Sequence, residues 1–408
     1  MLRTAGLLAT LALVISACSQ APADVAAPTL EPQFGTADTD FGVDVALGSS
    51  GRVFSLSERE GYSYDQDGYR DGRQDWAVLR RYDASGNTVW SRDIATEVCF
   101  DAYDYGCTGD PVQVRALVAD AGGSTYSLLS NQYVSGDVSV TIPLYVYKHD
   151  SAGKLVWSVH VGTNGVGVGS TPDQSSDAVD IAVDGATNFY VVRRNVTFDQ
   201  EGEITAYTNV VAKYSSTGSL VWQHTSPVGT PKAVAISGNG YVYVAGSTGL
   251  AKYNGSGDLL WTKAGAATDV AAVGTNTVYA RDLTTVRKLD ASGKQIWSKA
   301  QSGLSGMVVG DMTTDASANV YLTGKYNASS SNRDVFTRKL AASSGTTVFT
   351  KTFGTGTYDD ARGVATLSGS EVYLTGATKG ALAHPFRGGD TDGYVRKLNA
   401  SGNPVWTR

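Results

Sequence analysis

From residue 34 to residue 408 the chain alternates short apolar runs with small polar turns. Some runs combine alanine with valine, as in residues 43–47 (VDVAL), and others carry aromatic and β-branched residues, as in residues 241–244 (YVYV). Such runs favour strands, and the glycine-containing turns between them are typical of hairpins. No window has the i, i+3, i+4 apolar spacing of an amphipathic helix. The pattern predicts an all-β domain over residues 33–408.

A longer unit repeats seven times within this alternation. Each copy has a basic residue, a polar turn ending in glycine, and an aromatic residue four positions after that glycine, as in Lys288, Gly293 and Trp297. Each unit holds four predicted strands, and units repeated at such intervals complete one another's cores. We therefore predict a seven-bladed β-propeller of four-stranded antiparallel blades. Its inter-blade wedges are filled by Trp90, Trp157, Trp222, Trp261, Trp297, Phe349 and Trp406.

The two ends of the repeat array predict how the ring closes. The sixth copy continues past Phe349 to the residues FGT at 353–355, but the last copy stops at Arg408. The corresponding residues, QFGT, stand at 33–36. We expect the N- and C-termini to meet at one blade and to close the ring there.

The Ala/Val-rich strands are expected to line the central channel, because small residues fit a narrow space. Asp44, Arg115, Asp180 and Asp311 are expected at equivalent positions of these inner strands, near the channel mouth. This expectation concerns packing and carries no mechanism.

The first residues predict export. Arg3 precedes an apolar stretch, residues 4–17, that is too short to span a bilayer as a helix. The stretch ends in ISAC (residues 15–18), which resembles the bacterial lipobox; the alternative is an ordinary secretion signal with a chance cysteine. The resemblance implies a signal peptide over 1–17, an acylated Cys18 and an Ala/Pro-rich tether over 18–32. Because Ser19 follows the cysteine, it further implies the bacterial outer membrane or the cell surface.

Acylation of Cys18 would leave Cys99 and Cys107 as an even pair. They flank a seven-residue segment, FDAYDYG, between two repeats. In an oxidising compartment such a pair predicts a disulfide that closes a short surface loop. A redox-active or metal-binding pair, the alternative, usually has the spacing C-x-x-C.

The overall charge excludes some partners. Charged residues make up 18% of the chain, the net charge is −6 and the pI is about 5.3. This balance lacks the basic footprint of a nucleic-acid-binding protein. It also predicts no general electrostatic attraction to anionic lipid.

One loop has the composition of a calcium site. Residues 65–75 supply four carboxylates around two glycines, and calcium prefers several oxygen ligands gathered by a tight turn. The loop lacks the order of an EF-hand, and the alternative is a solvated turn neutralised by Arg70 and Arg73. The calcium candidates are Asp65, Asp67, Asp71 and Asp75, and no other cofactor is predicted.

Catalytic motifs are absent from the sequence. His149, His160, His224 and His384 have no metal-ligand spacing, and neither a Gly-x-Ser-x-Gly nor a His-Glu-x-x-His motif occurs. We therefore expect a non-enzymatic protein.

Recognition is expected in the segments that differ between copies: 58–75, 97–110, 131–142, 194–208 and 379–391. These are rich in tyrosine, a rigid amphipathic side chain that suits contacts with proteins or glycans. The alternative is that the tyrosines only decorate loops. The candidates are Tyr62, Tyr64, Tyr69, Tyr103, Tyr105, Tyr133 and Tyr207.

The repeat resembles the bacterial SBBP seven-bladed propeller repeat over residues 33–408, most clearly at 372–380 (VYLTGATKG) and 388–398 (GGDTDGYVRKL). Residues 290–297 (DASGKQIW) are also similar to the tryptophan-docking motif of quinoprotein-type propellers, a likeness that extends to an outer-membrane lipoprotein propeller assisting β-barrel assembly. That protein typically has eight blades, whereas this chain has seven copies. The SBBP resemblance implies exported surface proteins and supplies no catalytic residues.

Together these patterns predict a membrane-anchored lipoprotein propeller that serves as a binding scaffold in the bacterial cell envelope. Its expected partners are the membrane, through the lipid anchor, and envelope proteins or surface glycans. The alternatives are a β-barrel assembly factor and, third, an enzyme acting on glycans or using a quinone.

Overall fold

The computed structural model describes residues 39–48, 51–64, 70–100, 112–131, 140–166, 180–198, 204–329, 331–383 and 385–408. Their strands form seven four-stranded antiparallel sheets, each built from four strands consecutive in the chain. No α-helix occurs in these ranges. The predicted seven-bladed β-propeller is therefore confirmed.

Blade 1 contains β1 (Asp40–Gly48), β2 (Arg52–Tyr64), β3 (Arg70–Tyr82) and β4 (Thr88–Phe100). Blade 2 contains β5 (Val112–Ala119), β6 (Thr125–Asn131), β7 (Val140–His149) and β8 (Leu155–Val166). Blade 3 contains β9 (Asp180–Val183), β10 (Phe189–Phe198), β11 (Ile204–Tyr214) and β12 (Leu220–Thr225).

Blade 4 contains β13 (Pro231–Ile236), β14 (Val242–Gly246), β15 (Gly249–Tyr253) and β16 (Leu259–Ala264). Blade 5 contains β17 (Asp269–Val273), β18 (Thr277–Arg281), β19 (Thr285–Asp290) and β20 (Gln295–Ala300). Blade 6 contains β21 (Val308–Thr314), β22 (Val320–Asn327), β23 (Arg333–Leu340) and β24 (Thr347–Phe353). Blade 7 contains β25 (Asp359–Ala365), β26 (Glu371–Thr378), β27 (Asp392–Asn399) and β28 (Pro404–Thr407).

The first strand of each blade contacts the first strand of the next blade around the ring, and β1 contacts β25. These first strands are the inner strands, and the fourth strands are the outer edges. The hydrophobic cores lie between neighbouring blades; one of them joins Val192 of blade 3 to Val244 and Tyr253 of blade 4. Neighbouring blades therefore complete one another's cores, as the repeat predicts.

The ring closes between blades 7 and 1, where the first and the last parts of the described chain meet. The Asp40 amide donates to the Thr391 carbonyl at 2.8 Å, and the Thr391 hydroxyl donates to the Asp40 carbonyl at 2.8 Å. Arg408 reaches the first turn of blade 1, where its Nε donates to the Gly86 carbonyl at 2.9 Å. Residues 33–36, which the sequence matches to residues 352–355, lie outside the described residues.

One face of the ring carries the variable segments. In an antiparallel blade the second-to-third connection and the exit of the fourth strand lie at the same end of the sheet. All five variable segments join strands at this end, which we call the insertion face. The hairpin strands β2 and β3 have 13 residues each, whereas β14 and β15 have five each. Blades 1 to 3 therefore extend further at this face than blades 4 and 5.

Candidate functional site

The constant residues of the repeat meet at the junctions between blades. In blade 4, Lys252 lies opposite Tyr243 on one neighbouring strand and opposite Trp261 on the other. Its Nζ lies 5.4 Å from the Tyr243 ring centroid and donates to the Ala291 carbonyl at 2.9 Å. The Trp261 Nε1 donates to the same carbonyl at 3.2 Å. Because Ala291 lies in the third-to-fourth turn of blade 5, two donors of one blade hold a turn of the next.

The same indole bond recurs at five other junctions. The acceptors are the carbonyls of Ser151 for Trp90, Ser216 for Trp157, Gly255 for Trp222, Ala342 for Trp297 and Ala84 for Trp406, at 3.1–3.4 Å. Phe349, the seventh aromatic residue, has no N–H and leaves the junction of blades 6 and 7 without this bond. All seven aromatic residues are buried or half-buried between their own blade and the next turn.

The turn glycine is required by this contact. A Cβ on Gly86 would lie 2.8 Å from the Trp406 indole, and the residue has a φ of +83°. The indole ring therefore leaves no space for a side chain at residue 86. The backbone conformation there is also one that residues other than glycine rarely adopt. The glycine and the aromatic residue are thus two halves of one inter-blade contact.

A second set of contacts lines the channel. Asp44 on β1 accepts the Val45 amide at 2.7 Å with Oδ1 and the Leu117 amide of blade 2 at 2.7 Å with Oδ2. Its two oxygens therefore link two neighbouring inner strands. Equivalent links join blades 3 and 4 and blades 6 and 7: Asp180 accepts the amides of Ile181 and Val234, and Asp311 accepts those of Met312 and Val364, at 2.7–2.8 Å.

A fourth link was not expected from the sequence. Asp269 on β17 accepts the Val270 amide at 2.8 Å and forms an ion pair with Arg281 at 3.4 Å. Its Oδ atoms also interact with the Met312 amide of blade 6. The signal was present, because Asp44, Asp180 and Asp269 each precede a β-branched residue and an alanine. In the other three blades the position is occupied by Ala116, Ala233 and Gly363.

The expectation for Arg115 is wrong. Asp44, Asp180 and Asp311 are equivalent in register, but Arg115 stands one residue earlier, at a bulge that β5 makes between Val114 and Ala116. Lys232 and Arg362 occupy the same bulge position in blades 4 and 7. β1 has the same bulge at Val43, so the residue of β5 that corresponds to Asp44 is Ala116 and the one that corresponds to Val43 is Arg115.

Burial controls the protonation of the channel carboxyls. Desolvation raises the pKa of Asp44 to about 7 and that of Asp180 to about 7, although two backbone amides oppose the shift in each case. Desolvation raises the pKa of Asp311 well above its usual value, and the negative charges of Asp269 and Asp44 add to the effect. Because backbone amides already occupy both oxygens of Asp44, Asp180 and Asp311, these groups join blades and offer little to a ligand.

The described residues contain no group of three His, Cys, Asp or Glu side chains that could hold a metal ion. Among the calcium candidates, Asp65 and Asp67 lie outside these residues, as does the side chain of Asp71, which stands on β3. Asp75 is buried on β3, opposite Glu60. The calcium site remains a prediction.

The three histidines in the described ranges do not form a cluster. His149 is buried, and desolvation lowers its pKa to about 4. His160 lies beside Tyr145 on blade 2, and His224 lies beside Trp222 on blade 3. His384 lies outside the described residues.

Among the predicted tyrosines of the insertion face, Tyr207 has a described side chain. Tyr207 on β11 is 52% exposed, and the Arg194 guanidinium lies 4.5 Å from its ring centroid. Tyr62 and Tyr64 stand on β2, but their side chains are outside the described part. The remaining candidates, Tyr69, Tyr103, Tyr105 and Tyr133, lie outside it altogether.

Most of the cysteines lie outside the residues that the structure describes. Cys18 and Cys107 lie outside it, and Cys99 stands on β4 opposite Arg73, with its side chain outside. The disulfide therefore remains a prediction. Within the described ranges no helix has the length and apolarity needed to cross a bilayer.

No family model and no curated protein matches the chain. Solved structures with a similar chain path include a chain of the mitotic checkpoint complex, with 11% identity, a TM-score of 0.46, and coverage of 91% of this chain and 96% of that chain. Another is the Dos1 propeller, with 10% identity, a TM-score of 0.45, and coverage of 85% and 92%. A third is a protein of unknown function from Bacteroides caccae, with 11% identity, a TM-score of 0.34, and coverage of 66% and 94%. At identities and TM-scores this low, the likeness supports no statement about function.

Proposed function

We propose that this protein is a non-enzymatic binding scaffold of the bacterial cell envelope, held at the membrane through an acylated Cys18. The supporting observation is that the constant polar groups of the repeat are used to join blades. Six indoles, five of the seven basic residues and the channel carboxylates bond to the neighbouring blade, as with Trp261, Lys252 and Asp44. Recognition then falls to the groups that the copies do not share. The resemblance to SBBP repeats supports the same assignment.

The channel supports a scaffold better than an enzyme. A general acid or base needs a proton-accepting atom within reach of a substrate, but Asp44 and Asp180 use both oxygens on backbone amides. A quinone-dependent enzyme needs several channel side chains directed at the cofactor, and the carboxylates here are directed at the neighbouring strand. The coupling of these groups to the ring itself favours a structural role.

The insertion face of blades 1 to 3 is the proposed recognition surface. The hairpin of β10 and β11 pairs from Phe189 to Phe198 and presents Tyr207 and Arg194 beyond the inter-blade core. An exposed tyrosine beside an arginine suits contacts with an envelope protein or a surface glycan. Such extended hairpins on a rigid ring place binding residues on a fixed support.

The proposal is tested by shortening this hairpin. In the variant, residues 196–207 are replaced by Asn-Gly, which joins the paired residues Asn195 and Thr208 by a tight turn and leaves the core of blade 3 intact. Chemical cross-linking in whole cells, followed by mass spectrometry, is expected to capture a partner with the wild type and to lose it with the variant.

Leu283→Ser, at the 75% exposed tip of the short blade-5 hairpin, is the matched control and should retain the partner. Unchanged capture by the shortened variant would overturn the assignment to this face. Capture of barrel-assembly proteins would favour the alternative, an assembly factor of outer-membrane barrels.

The anchor is tested separately by metabolic labelling with an alkyne fatty acid. The wild type should incorporate the label, and Cys18→Ala should not, because the acyl chains are attached to that sulfur and to the new N-terminus. An unlabelled wild type, or a labelled Cys18→Ala chain, contradicts the lipoprotein assignment.

A further inference from the structure

Charge is unevenly distributed around the ring. Residues 204–353 contain fourteen Lys and Arg but seven Asp and Glu, although the whole chain has a net charge of −6. This stretch covers blades 4, 5 and 6 completely. The expectation that the chain has no general attraction to anionic lipid rests on the overall charge, and the charge of this sector has the opposite sign.

The positive charge of the sector reaches its outer edge. The edge strands β16, β20 and β24 read LLWTKA, QIWSKA and TVFTKTF, without an aspartate or glutamate. Each has a lysine two residues after the aromatic residue, at Lys263, Lys299 and Lys351. The aliphatic stems of Lys299 and Lys351 pack over Gly345 and Gly402, the turn glycines of the next blades. A Cβ placed on these glycines would lie 2.7 Å from the Lys299 Cγ and 2.8 Å from the Lys351 Cγ, respectively. None of the three ammonium groups has a carboxylate partner within the described residues.

Apolar side chains accompany these lysines. Leu260, Ile296 and Val348, each one residue before the aromatic residue, are 46%, 54% and 57% exposed. Leu259 beside them is 48% exposed. The outer edge strands thus carry both exposed aliphatic residues and lysines, a combination that is typical of surfaces that bind the interface of an anionic bilayer.

Only blades 4 to 6 combine an aliphatic residue before the aromatic residue with a lysine two residues after it. The other blades have an aliphatic residue before the tryptophan, but Val159 and His224 replace the lysine in blades 2 and 3. In blade 7 the equivalent Arg408 donates to the carbonyls of Ser85 and Gly86 and is used in closing the ring. In blade 1 the equivalent Arg92 stands on a strand that also carries Asp93 and Glu97.

We propose that the outer edges of blades 4, 5 and 6 form a contact surface for an anionic lipid bilayer. This proposal rests on the proposed envelope anchor, because a lipidated chain is held beside such a bilayer. The lysines bind the phosphates of the headgroups, and the aliphatic side chains enter the headgroup layer. A single acyl anchor leaves a tethered domain free to rotate, and this second contact gives the ring a fixed orientation on the membrane.

The tether is long enough for this arrangement. Twenty residues separate Cys18 from Thr39, which allows at most about 70 Å of fully extended chain. A domain of this size has an expected radius of gyration of about 21 Å. The chain can therefore pass from the junction of blades 7 and 1 to a membrane contacted by blades 4 to 6.

Vesicle flotation of the full chain carrying Cys18→Ala tests the proposal without the acyl group. The probes are vesicles of phosphatidylethanolamine with phosphatidylglycerol, and vesicles of phosphatidylcholine alone. We expect flotation with the anionic vesicles only, and less of it as salt rises. Lys263→Glu with Lys299→Glu should lower the partition coefficient at least about tenfold. Leu260→Ser with Ile296→Ser should lower it several-fold.

Matched controls lie elsewhere on the ring. Lys154→Glu with Lys379→Glu changes two other exposed lysines. Val156→Ser with Val221→Ser changes two aliphatic residues that are equally exposed. Both double variants should still bind the anionic vesicles. Absence of flotation, equal flotation with neutral vesicles, or equal losses in the controls would overturn the proposal. Light scattering would also overturn it if the wild type were a dimer that the Leu260→Ser and Ile296→Ser double variant dissociates. That result would show that the surface binds a second copy of the chain. Fatty-acid labelling is independent of these results, so failure of the anchor and failure of this surface are distinguishable.

Discussion

The indole Nε1 of Trp406 donates a hydrogen bond of 3.1 Å to the carbonyl of Ala84, a residue 322 positions earlier in the chain. The Lys397 Nζ approaches the same carbonyl at 3.4 Å. This contact repeats at the last junction what Trp261 and Lys252 do inside the ring. The closing junction of the propeller therefore contains the same indole–carbonyl bond as every other tryptophan junction.

Removing the indole donor from the closing junction should weaken the fold measurably. Trp406→Phe keeps an aromatic ring against Gly86 but loses the N–H, which should lower the free energy of unfolding by about 1 kcal/mol. Urea unfolding followed by fluorescence measures the change. Trp297→Phe, at an internal junction, should cost about as much; a far larger loss for Trp406→Phe would show that closure has a special energy.

Adding the missing donor should have the opposite effect. Phe349 occupies the tryptophan position of blade 6, and the equivalent acceptor in blade 7 is the carbonyl of Ala400. Phe349→Trp should raise the free energy of unfolding by about 1 kcal/mol, since it supplies an N–H to that carbonyl. The midpoint of urea unfolding is the measurement, and Phe349→Leu, which supplies no donor, should be destabilising. A lower midpoint for Phe349→Trp would mean that the larger ring does not fit the junction.

The two donors that share one carbonyl should be coupled. Lys252→Met and Trp261→Phe each leave Ala291 with one donor, whereas the double variant leaves it with none. An unsatisfied, partly buried carbonyl costs more than a single lost bond, so the double variant should lose more stability than the sum of the single variants. A double-mutant cycle from urea unfolding measures the difference. Strict additivity would show that the donors act independently.

The turn glycine should be far more sensitive where an indole covers it. Gly86 and Gly240 both have positive φ, +83° and +79°, but a Cβ on Gly240 would meet no atom within 4 Å. Gly240→Ala should cost about 1 kcal/mol for its backbone conformation alone. Gly86→Ala should cost at least about 2 kcal/mol more, because its Cβ would contact the Trp406 ring. Equal losses of thermal stability in the two variants would refute this explanation.

The channel carboxyls predict a loss of stability as pH rises through neutrality. Burial raises the pKa of Asp44 and Asp180 to about 7, so the folded chain binds more protons than the unfolded chain between pH 4 and 7. Stability should fall over this range, by an amount on the order of a few kcal/mol. His149, with its pKa lowered to about 4, has the opposite effect between pH 4 and 6.5. Comparing the wild type with a variant that lacks one carboxyl therefore isolates the carboxyl contribution.

Asp180→Asn provides the comparison. It removes one titrating group, so urea midpoints measured from pH 6.5 to 8 should change less than those of the wild type. The variant is also expected to be less stable at pH 6.5, because an amide has one accepting oxygen for two backbone N–H groups. An unchanged slope would assign the pH dependence to other residues.

Much of the architecture followed from local patterns. The period-two alternation predicted the strands, and the spacing of Lys288, Gly293 and Trp297 marked one blade. The position of Asp269 could also have been found, because it shares its local sequence with Asp44 and Asp180. Arg115 was misplaced by one residue: it is the bulge residue of β5, as Val43 is of β1, and Ala116 corresponds to Asp44. The local sequence does not distinguish the bulge residue from the residue that follows it.

The sequence by itself determined the number of blades, the order of their strands and the residues that recur in each, because these depend on short-range periodicity and turn chemistry. Only the tertiary structure decided what those residues bond to. The acceptor of the Trp406 indole is Ala84, and the acceptor of an Asp44 carboxylate oxygen is Leu117; both contacts exist only once the blades are arranged in a ring. The structure also separated Arg408, which is used in closure, from Lys263 and Lys299, which form no ion pair with any carboxylate that the structure describes. Partners that are distant in sequence leave no local pattern, because their contact arises from the curvature of the whole ring.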